Sequence, residues 1–455
     1  MFIPEIINIS SNIYKINEKE FYNLLDSKKD HNSFSCLISG GKNDSADNCY
    51  FAYNPFLKFF LKNNSLLLET CEKTFEYKNY NPWDALNQFF NKYKLLKKKN
   101  IGAIGYFSYE CGRLIEKLPQ VENNENIFDI VVLFFSKFFH YSKHTEILTQ
   151  YNIITNIKPF EKKNYYKLDA KTLCKVENIN LSVNYDSYIN QIKKIIHYIK
   201  EGDIYQANLS QKFTVTGEFH GFNLFKKLFK INPAPFFAYL NLSSYEIIST
   251  SPERFIKVDE SHIETRPIKG TIERGINLKF DEINKKKLYN SSKDSAELAM
   301  IVDLLRNDIG KCSMGGSVEV VDFKRIEQYH NVFHLIGIVT GELENNKSYI
   351  DLIRAAFPGG SITGCPKIRA MEIISELENE TRGIYTGTIF FHSFGNYFDS
   401  NIAIRTILIK DDKLYFRIGG GIVYDSIPEK EYAETIHKGR TILEALGIDY
   451  NQYLL

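Results

Sequence analysis

The stretch T-R-P-I-K-G-T, Thr265 to Thr271, sets a single lysine between a proline and a glycine in an apolar-flanked run. As an extended segment it alternates with period two, so Thr265, Pro267, Lys269 and Thr271 share one face and Arg266, Ile268 and Gly270 the other. Proline confines such a strand to an edge or a bulge, and the glycine beside the lysine lets a ligand or another backbone come close. Both features suit the wall of a pocket. A lysine next to a proline is also a common way to keep a strand edge from pairing, and taken alone the segment favours that plainer role.

Upstream, Ser251-Pro252-Glu253-Arg254-Phe255 ends a run of short strands, Phe236 to Leu242 and Glu246 to Thr250, entered through the turn Asn232-Pro233-Ala234-Pro235. A hairpin return lays a strand over His262 to Ile272 beside Phe255 to Val258, so Glu253 and Lys269 can face one pocket. Before these, the stripe Tyr188, Ile192, Ile195, Ile196 and Ile199 predicts a helix from Tyr185 to Gly202, followed by a strand from Ile204 to Val215.

Downstream, two helix starts carry paired acids. Asp294 and Glu297 precede the stripe Leu298, Ile301, Val302 and Leu305; Glu431 and Glu434 follow Pro428 in a helix that stops at Gly447. A spacing of three puts each pair on one helix face. Acids in a first turn oppose the helix dipole, which accounts for either pair alone. Two such pairs also suit a hard divalent cation such as Mg²⁺, which takes one or two carboxylates with water and substrate oxygens. Pro358-Gly359-Gly360-Ser361-Ile362-Thr363-Gly364-Cys365-Pro366-Lys367 reads as a glycine-rich turn into a helix, with Ile368, Met371 and Ile374 inward. It matches neither common phosphate fingerprint, so it is either a carboxylate-binding loop or a plain tight turn. A second cluster, Gly419-Gly420-Gly421, follows the strand Leu414 to Ile418. Arg405 lies amid apolar residues in a strand predicted over Asn401 to Ile409, where it needs a carboxylate partner from a ligand or from a structural acid.

The 455 residues allow two or three domains, and 44% hydrophobic with 25% charged residues is ordinary for a globular chain. A net charge of +2 gives no case for nucleic acid. Seven scattered cysteines without C-x-x-C spacing indicate neither a disulfide framework nor zinc, and fit a reducing compartment. The start Met1-Phe2-Ile3-Pro4-Glu5 has no basic leader, and the apolar run from Ile127 to Phe135 is too short to cross a bilayer, so a cytoplasmic protein with no membrane partner is expected. Residues 1–150 mix short strands (Ser33 to Gly40, Ser65 to Thr70) with an amphipathic helix from Pro82 to Leu96. Residues 145–180 are polar and aperiodic, the best boundary between an N-terminal region (1–150) and a second region (180–450).

SPERF at 251, TRPIKGT at 265, DSAELAMIVDLLRND at 294, PGGSITGCPKIRAMEII at 358, IYTG at 384, NIAIRT at 401 and GGGIVYDSIPEKEYAET at 419 together resemble the chorismate-utilising enzymes over about 180–445. The resemblance implies an α+β fold like that of anthranilate synthase component I: two packed, largely antiparallel sheets with helices outside and the two regions intertwined. Within the family, the lysine of PIKGT resembles the aminodeoxychorismate synthase component I branch, where anthranilate synthases carry alanine. Gln206 stands where isochorismate and salicylate synthases carry a water-activating lysine. The resemblance implies that Glu297 and Glu434 bind Mg²⁺ with support from Asp294 and Glu431. It further implies that Tyr385, Arg405 and the backbone at Gly420 and Gly421 meet the enolpyruvyl carboxylate of chorismate. Lys269 would be the covalent nucleophile, Glu253 the acid, and Thr271, His334 and Ser361 pocket residues; His334 alone reads as a core histidine.

The implied reaction converts chorismate and ammonia to 4-amino-4-deoxychorismate for 4-aminobenzoate and folate synthesis. Cys365 lacks the setting of an amidotransferase nucleophile, so ammonia would come from a separate glutaminase subunit. Anthranilate synthase component I and a catalytically silent chorismate- or amino-acid-binding regulatory subunit are the alternatives. Leu66 to Thr70 is similar to the tryptophan-binding segment of anthranilate synthases, with threonine for serine at 70, and the turn Asn232 to Pro235 resembles its opposite wall.

Overall fold

The computed structural model describes residues 1–41, 44–123, 125–161 and 174–454. Two long strands, Asn48–Lys62 and Ile130–Ser142, pair antiparallel along nearly their whole length. They form the shared seam of two sheets. From the first half of Asn48–Lys62, one sheet runs through Ser35–Ile38, Phe236–Asn241, Glu246–Ser251, Thr406–Lys410, Lys413–Ile422 and Gln206–Phe219. From the first half of Ile130–Ser142, the other runs through Lys98–Phe107, Thr388–Phe394, Tyr397–Asn401, Arg254–Asp259, His262–Arg266 and Val332–Glu342. All of these ladders are antiparallel, as expected of an α+β fold with two packed sheets. Residues 49–61 are buried without interruption. A strand covered on both faces reads as an apolar run rather than an alternation, which is how the sequence presents this seam.

The helices lie outside. Tyr185–Lys200, Gly221–Ile231 and Pro428–Leu446 pack on the first sheet, and Ser292–Gly310 packs over Val332–Glu342 and Ile268–Glu273. Two predicted stripes are buried throughout: Leu298, Ile301, Val302 and Leu305 in one helix, Ile436, Ile442 and Leu443 in another. The helix that stops at Gly447 ends where the sequence predicts its end. Ser291 accepts from the Asp294 amide, and Gly447 closes the last helix at φ +78°. One apolar cluster joins Trp83, Phe89 and Phe134 to Ile353, Phe390 and Phe398, so the N-terminal and C-terminal regions share a core.

Five local expectations are corrected. The strand predicted from His262 to Ile272 is two, His262–Arg266 and Ile268–Glu273, because Pro267 cannot donate to the ladder. A bulge then makes Lys269 and Thr271 partners of neighbouring residues, Leu335 and His334, so simple alternation does not place them on one face. The strand predicted from Asn401 to Ile409 is interrupted at Arg405, whose φ is +50°. The polar stretch 145–180 holds the strands Ile147–Thr155 and Cys174–Leu181, while residues 162–173 of it lie outside the described residues. Ile368 is exposed, since the face of its helix that packs inward is Ala370, Met371, Ile373, Ile374 and Leu377.

Candidate active site

The start of strand Ile268–Glu273, the end of the SPERF turn and the Ser361 loop converge. The Ser361 hydroxyl donates to Glu253 Oε1 at 2.7 Å, and the Lys269 ammonium reaches the Ser361 carbonyl at 3.5 Å. Glu253 is 5% exposed, and burial pushes its carboxyl up to about 7, against the pull of Ser361 and Lys269. At neutral pH it therefore carries a proton part of the time, as a general acid requires. Burial also holds Lys269 below its ordinary value. Glu297, Glu253 and Glu434 push it back up, and Lys438 adds to the lowering. Burial prevails over the carboxylates, which favours the neutral amine a nucleophile needs.

Gly270, at φ +77°, is the residue that lets the acidic helix come close. A Cβ there would lie 3.0 Å from Asp294 Cβ and Cγ, so the first acidic pair sits against the lysine strand. Thr271 Oγ1 and His334 Nδ1 are 2.9 Å apart, whereas His334 Nε2 is buried without a partner. Burial takes the His334 imidazole down to about 3, so it stays neutral.

Arg405 is half-buried and, among the described residues, no carboxylate stands within ion-pair distance of its guanidinium. Burial lowers it, with Tyr329 and Glu253 acting only at longer range. Its carbonyl is bonded by the amide and hydroxyl of Thr250, each at 3.1 Å, which fixes the left-handed turn. Among the described residues the structural-acid alternative therefore has no candidate in ion-pair range. Tyr385 is 5% exposed and interacts electrostatically with Lys438. Lys438, one helical turn beyond Glu434, bonds that carboxylate at 2.9 Å and the Gly419 carbonyl at 3.3 Å. The sequence reading passed over Lys438; its only signal there is the i, i+4 spacing to Glu434.

Backbone at Gly420 and Gly421 is approached closely. A Cβ on Gly420 would be 3.3 Å from Lys438 Nζ, and one on Gly421 3.0 Å from Gln206 Nε2. Gln206 is fully buried with neither amide atom hydrogen-bonded, a costly condition that an added polar ligand would relieve. The Pro358 to Lys367 loop behaves differently from an anion nest. Gly359 and Gly360 are small because a Cβ would meet Ile402 at 2.6 Å and Leu304 at 2.4 Å. The amides of Ile362 and Thr363 turn back to Gly359 and Gly360. What the loop presents to the site is the Ser361 side chain and carbonyl.

The four acids are less gathered. Glu431 is buried, accepts from Ser426 at 2.7 Å and is raised by burial; Glu434 is exposed and lowered chiefly by Lys438; Asp294 and Glu297 are half-buried. Among the described residues no three acidic, histidine or cysteine side chains form a ready metal cluster. Glu297 and Glu434 nevertheless both act on Lys269. One carboxylate from each helix start is a donor set that fits Mg²⁺ completed by water and a substrate oxygen.

The sequence pattern of the chorismate binding enzyme family matches residues 46–444. The chain belongs to this family. It is 40% identical over 354 residues to aminodeoxychorismate synthase component 1 of Escherichia coli (strain K12), covering 76% of this chain and 77% of that protein. It is 34% identical over 426 residues to anthranilate synthase component 1 of Acetivibrio thermocellus, 86% of this chain and 85% of that protein. Among solved structures, anthranilate synthase component I from Streptococcus pneumoniae TIGR4 superposes with a TM-score of 0.73 at 27% identity, over 88% of this chain and 93% of that one. The menaquinone-specific isochorismate synthase from Escherichia coli shares the fold, with a TM-score of 0.76 at 14% identity over 98% and 96%. A chain of this family acts on chorismate; the finer choice among aminating and hydrating chemistries rests on the residues of the site. A separate cavity beside Pro235 and Phe236 takes its facing wall from Leu37, Ile38 and Ser39, not from Leu66 to Thr70, which pairs instead with Lys58–Lys62. No described helix is long and apolar enough to cross a membrane.

Proposed function

We propose that this chain is an aminodeoxychorismate synthase component I, aminating chorismate at C4. The observation that carries the reading is the half-buried Lys269, whose amine meets the Ser361 carbonyl while the Ser361 hydroxyl donates to the buried Glu253. Lys269 Nζ attacks ring C2 and the double bonds shift as the C4 hydroxyl leaves, taking the Glu253 proton to depart as water. The lysine nitrogen gives up a proton to reach the neutral adduct. Ammonia then adds at C4, the double bonds shift back, the C2–N bond breaks, and the lysine recovers a proton while the new amine sheds one. The pyruvyl arm is retained, giving 4-amino-4-deoxychorismate for 4-aminobenzoate and folate synthesis.

Arg405 and Tyr385, with backbone at Gly420 and Gly421, receive the enolpyruvyl carboxylate; an unpaired arginine is suited to a bidentate carboxylate. Glu297 and Glu434, supported by Asp294 and Glu431, would hold Mg²⁺, which supplies positive charge for the ring carboxylate. Thr271 and His334 line the ring side. Gln206 offers an amide where a lysine would activate water, which favours a nitrogen nucleophile. In this reading ammonia is delivered by a glutaminase subunit, in keeping with relatives named as component 1, and the pair works in the cytoplasm.

Incubation with chorismate, Mg²⁺ and ammonium tests the reading. The expected product is 4-amino-4-deoxychorismate by mass; anthranilate fluorescence without it would assign the chain to the anthranilate reaction, and no chorismate consumption would leave a binding role.

A further inference from the structure

Behind Tyr385 lies a buried arginine that the reaction scheme does not use. Arg382 has a side chain 1% exposed and an ion pair with Glu378, itself 2% exposed, at 2.6 Å. Its Nη1 donates to the Ile362 carbonyl at 3.2 Å and to Thr386 Oγ1 at 3.3 Å, and its Nη2 to the Asn208 carbonyl. The guanidinium also lies 4.8 Å from the ring centroid of Tyr109 and 5.7 Å from that of Tyr385. One fork therefore bonds the residue after Ser361, the strand that begins at Gln206, and the residue after Tyr385.

Thr386 shows what this fork restrains. Its φ is +59°, a left-handed conformation that a β-branched residue adopts only under strain. Its hydroxyl donates to the Tyr385 carbonyl at 2.6 Å while accepting from Arg382, and its amide donates to Ala403. The turn Tyr109–Leu114, from the N-terminal region, closes the other side. Glu110 takes the Arg382 amide at 3.0 Å on one oxygen and the Gly383 amide at 2.9 Å on the other, and the Tyr109 amide donates to the Gly383 carbonyl.

We infer that Arg382 is a positioning residue for the substrate arm: by bonding Thr386 and Ile362 it holds the strained Tyr385 turn and the Ser361 loop in the geometry that receives chorismate. It touches no substrate. A lysine would keep the charge beside Glu378 but lose the fork. The inference rests on the proposed chorismate reaction, so wild-type turnover of chorismate with ammonium is measured first, and its absence would count against that reading and not this one.

The test is a split of Michaelis constants in Arg382→Lys and in Thr386→Val, which keeps its shape and loses only the hydroxyl. For Arg382→Lys the KM for chorismate should rise on the order of tenfold while that for ammonium stays unchanged, since small displacements of positioning groups carry large costs. Thr386→Val should move the same constant by a few-fold. A plain loss of folded protein lowers turnover without separating the two constants. If Arg382→Lys does not fold, Thr386→Val decides. An unchanged KM for chorismate in the folded variants overturns the inference.

Discussion

The two halves of the site are built differently. On the lysine side, Ser361 links the half-buried Lys269 to the buried Glu253, at 3.5 Å and 2.7 Å, and the Glu253 carboxyl is raised to about 7 by burial. On the acidic side, Glu434 is exposed and tied to Lys438, Glu297 is half-buried, and no three donors are grouped among the described residues. The first half is preorganised by packing. The second consists of carboxylates whose partners are lysines, Lys438 for Glu434 and Lys293 for Glu297, on side chains that reach solvent. In the proposed reaction the proton and covalent steps therefore fall to groups the fold fixes, and the affinity for substrate to groups the ligand completes.

The difference can be broken most severely at Lys269. Lys269→Ala should cost on the order of 10³-fold or more in kcat, as removal of a covalent nucleophile does, with the thermal midpoint unchanged or raised because a buried amine is lost. Glu253→Gln should cost about 10²- to 10⁴-fold in kcat, the range of a general acid, and it adds a stability signature. The folded chain keeps the Glu253 proton between the ordinary 4.5 and about 7, whereas the unfolded chain loses it at the lower value. The stabilisation from that proton is full below 4.5 and is lost as pH rises through about 7. The melting temperature of Glu253→Gln should accordingly gain on wild type between about pH 5 and about pH 8. A difference that is flat with pH would show that the carboxyl is not held protonated.

Arg405→Met sharpens the second half. An arginine paired to a structural acid would leave a buried charge behind when removed and destabilise the fold. Among the described residues Arg405 has no such acid in ion-pair range, so the variant should melt no lower than wild type, while the KM for chorismate rises by about 10- to 100-fold, the worth of a charged hydrogen-bonded contact. A fall in melting temperature without a change in KM would make the arginine structural. The smallest effect is expected at Glu434→Gln, where the Mg²⁺ concentration for half-maximal rate should rise about tenfold and saturating Mg²⁺ should recover most of the activity. No change in the Mg²⁺ requirement would remove Glu434 from the donor set.

Much of this arrangement can be read in the sequence where a local rule governs. The stripes of the helices Ser292–Gly310 and Pro428–Leu446, and the stop at Gly447, follow from periodicity and termination signals. The return of Arg254–Asp259 as His262–Arg266 follows from a hairpin. Legibility ends where a tertiary contact overrides the local pattern. The bulge at Gly270 answers the approach of Asp294, a residue 24 positions away, and the kink at Arg405 answers bonds from Thr250. Gly359 and Gly360 look like an anion loop by composition but are small because Ile402 and Leu304 press on them. Lys438 and Arg382 carry no motif of their own, and only the fold brings them against Gly420 and Tyr385. Leu66 to Thr70 matched a local pattern, yet the wall facing Pro235 is built from Leu37, Ile38 and Ser39.

The account turns on the covalent role of Lys269, and mass spectrometry of the protein incubated with chorismate and Mg²⁺ in the absence of ammonia addresses it directly. The expected result is a peptide containing Lys269 that carries chorismate less water and returns to its unmodified mass when ammonium is added. An unmodified Lys269 peptide, together with full activity in Lys269→Ala, would contradict it.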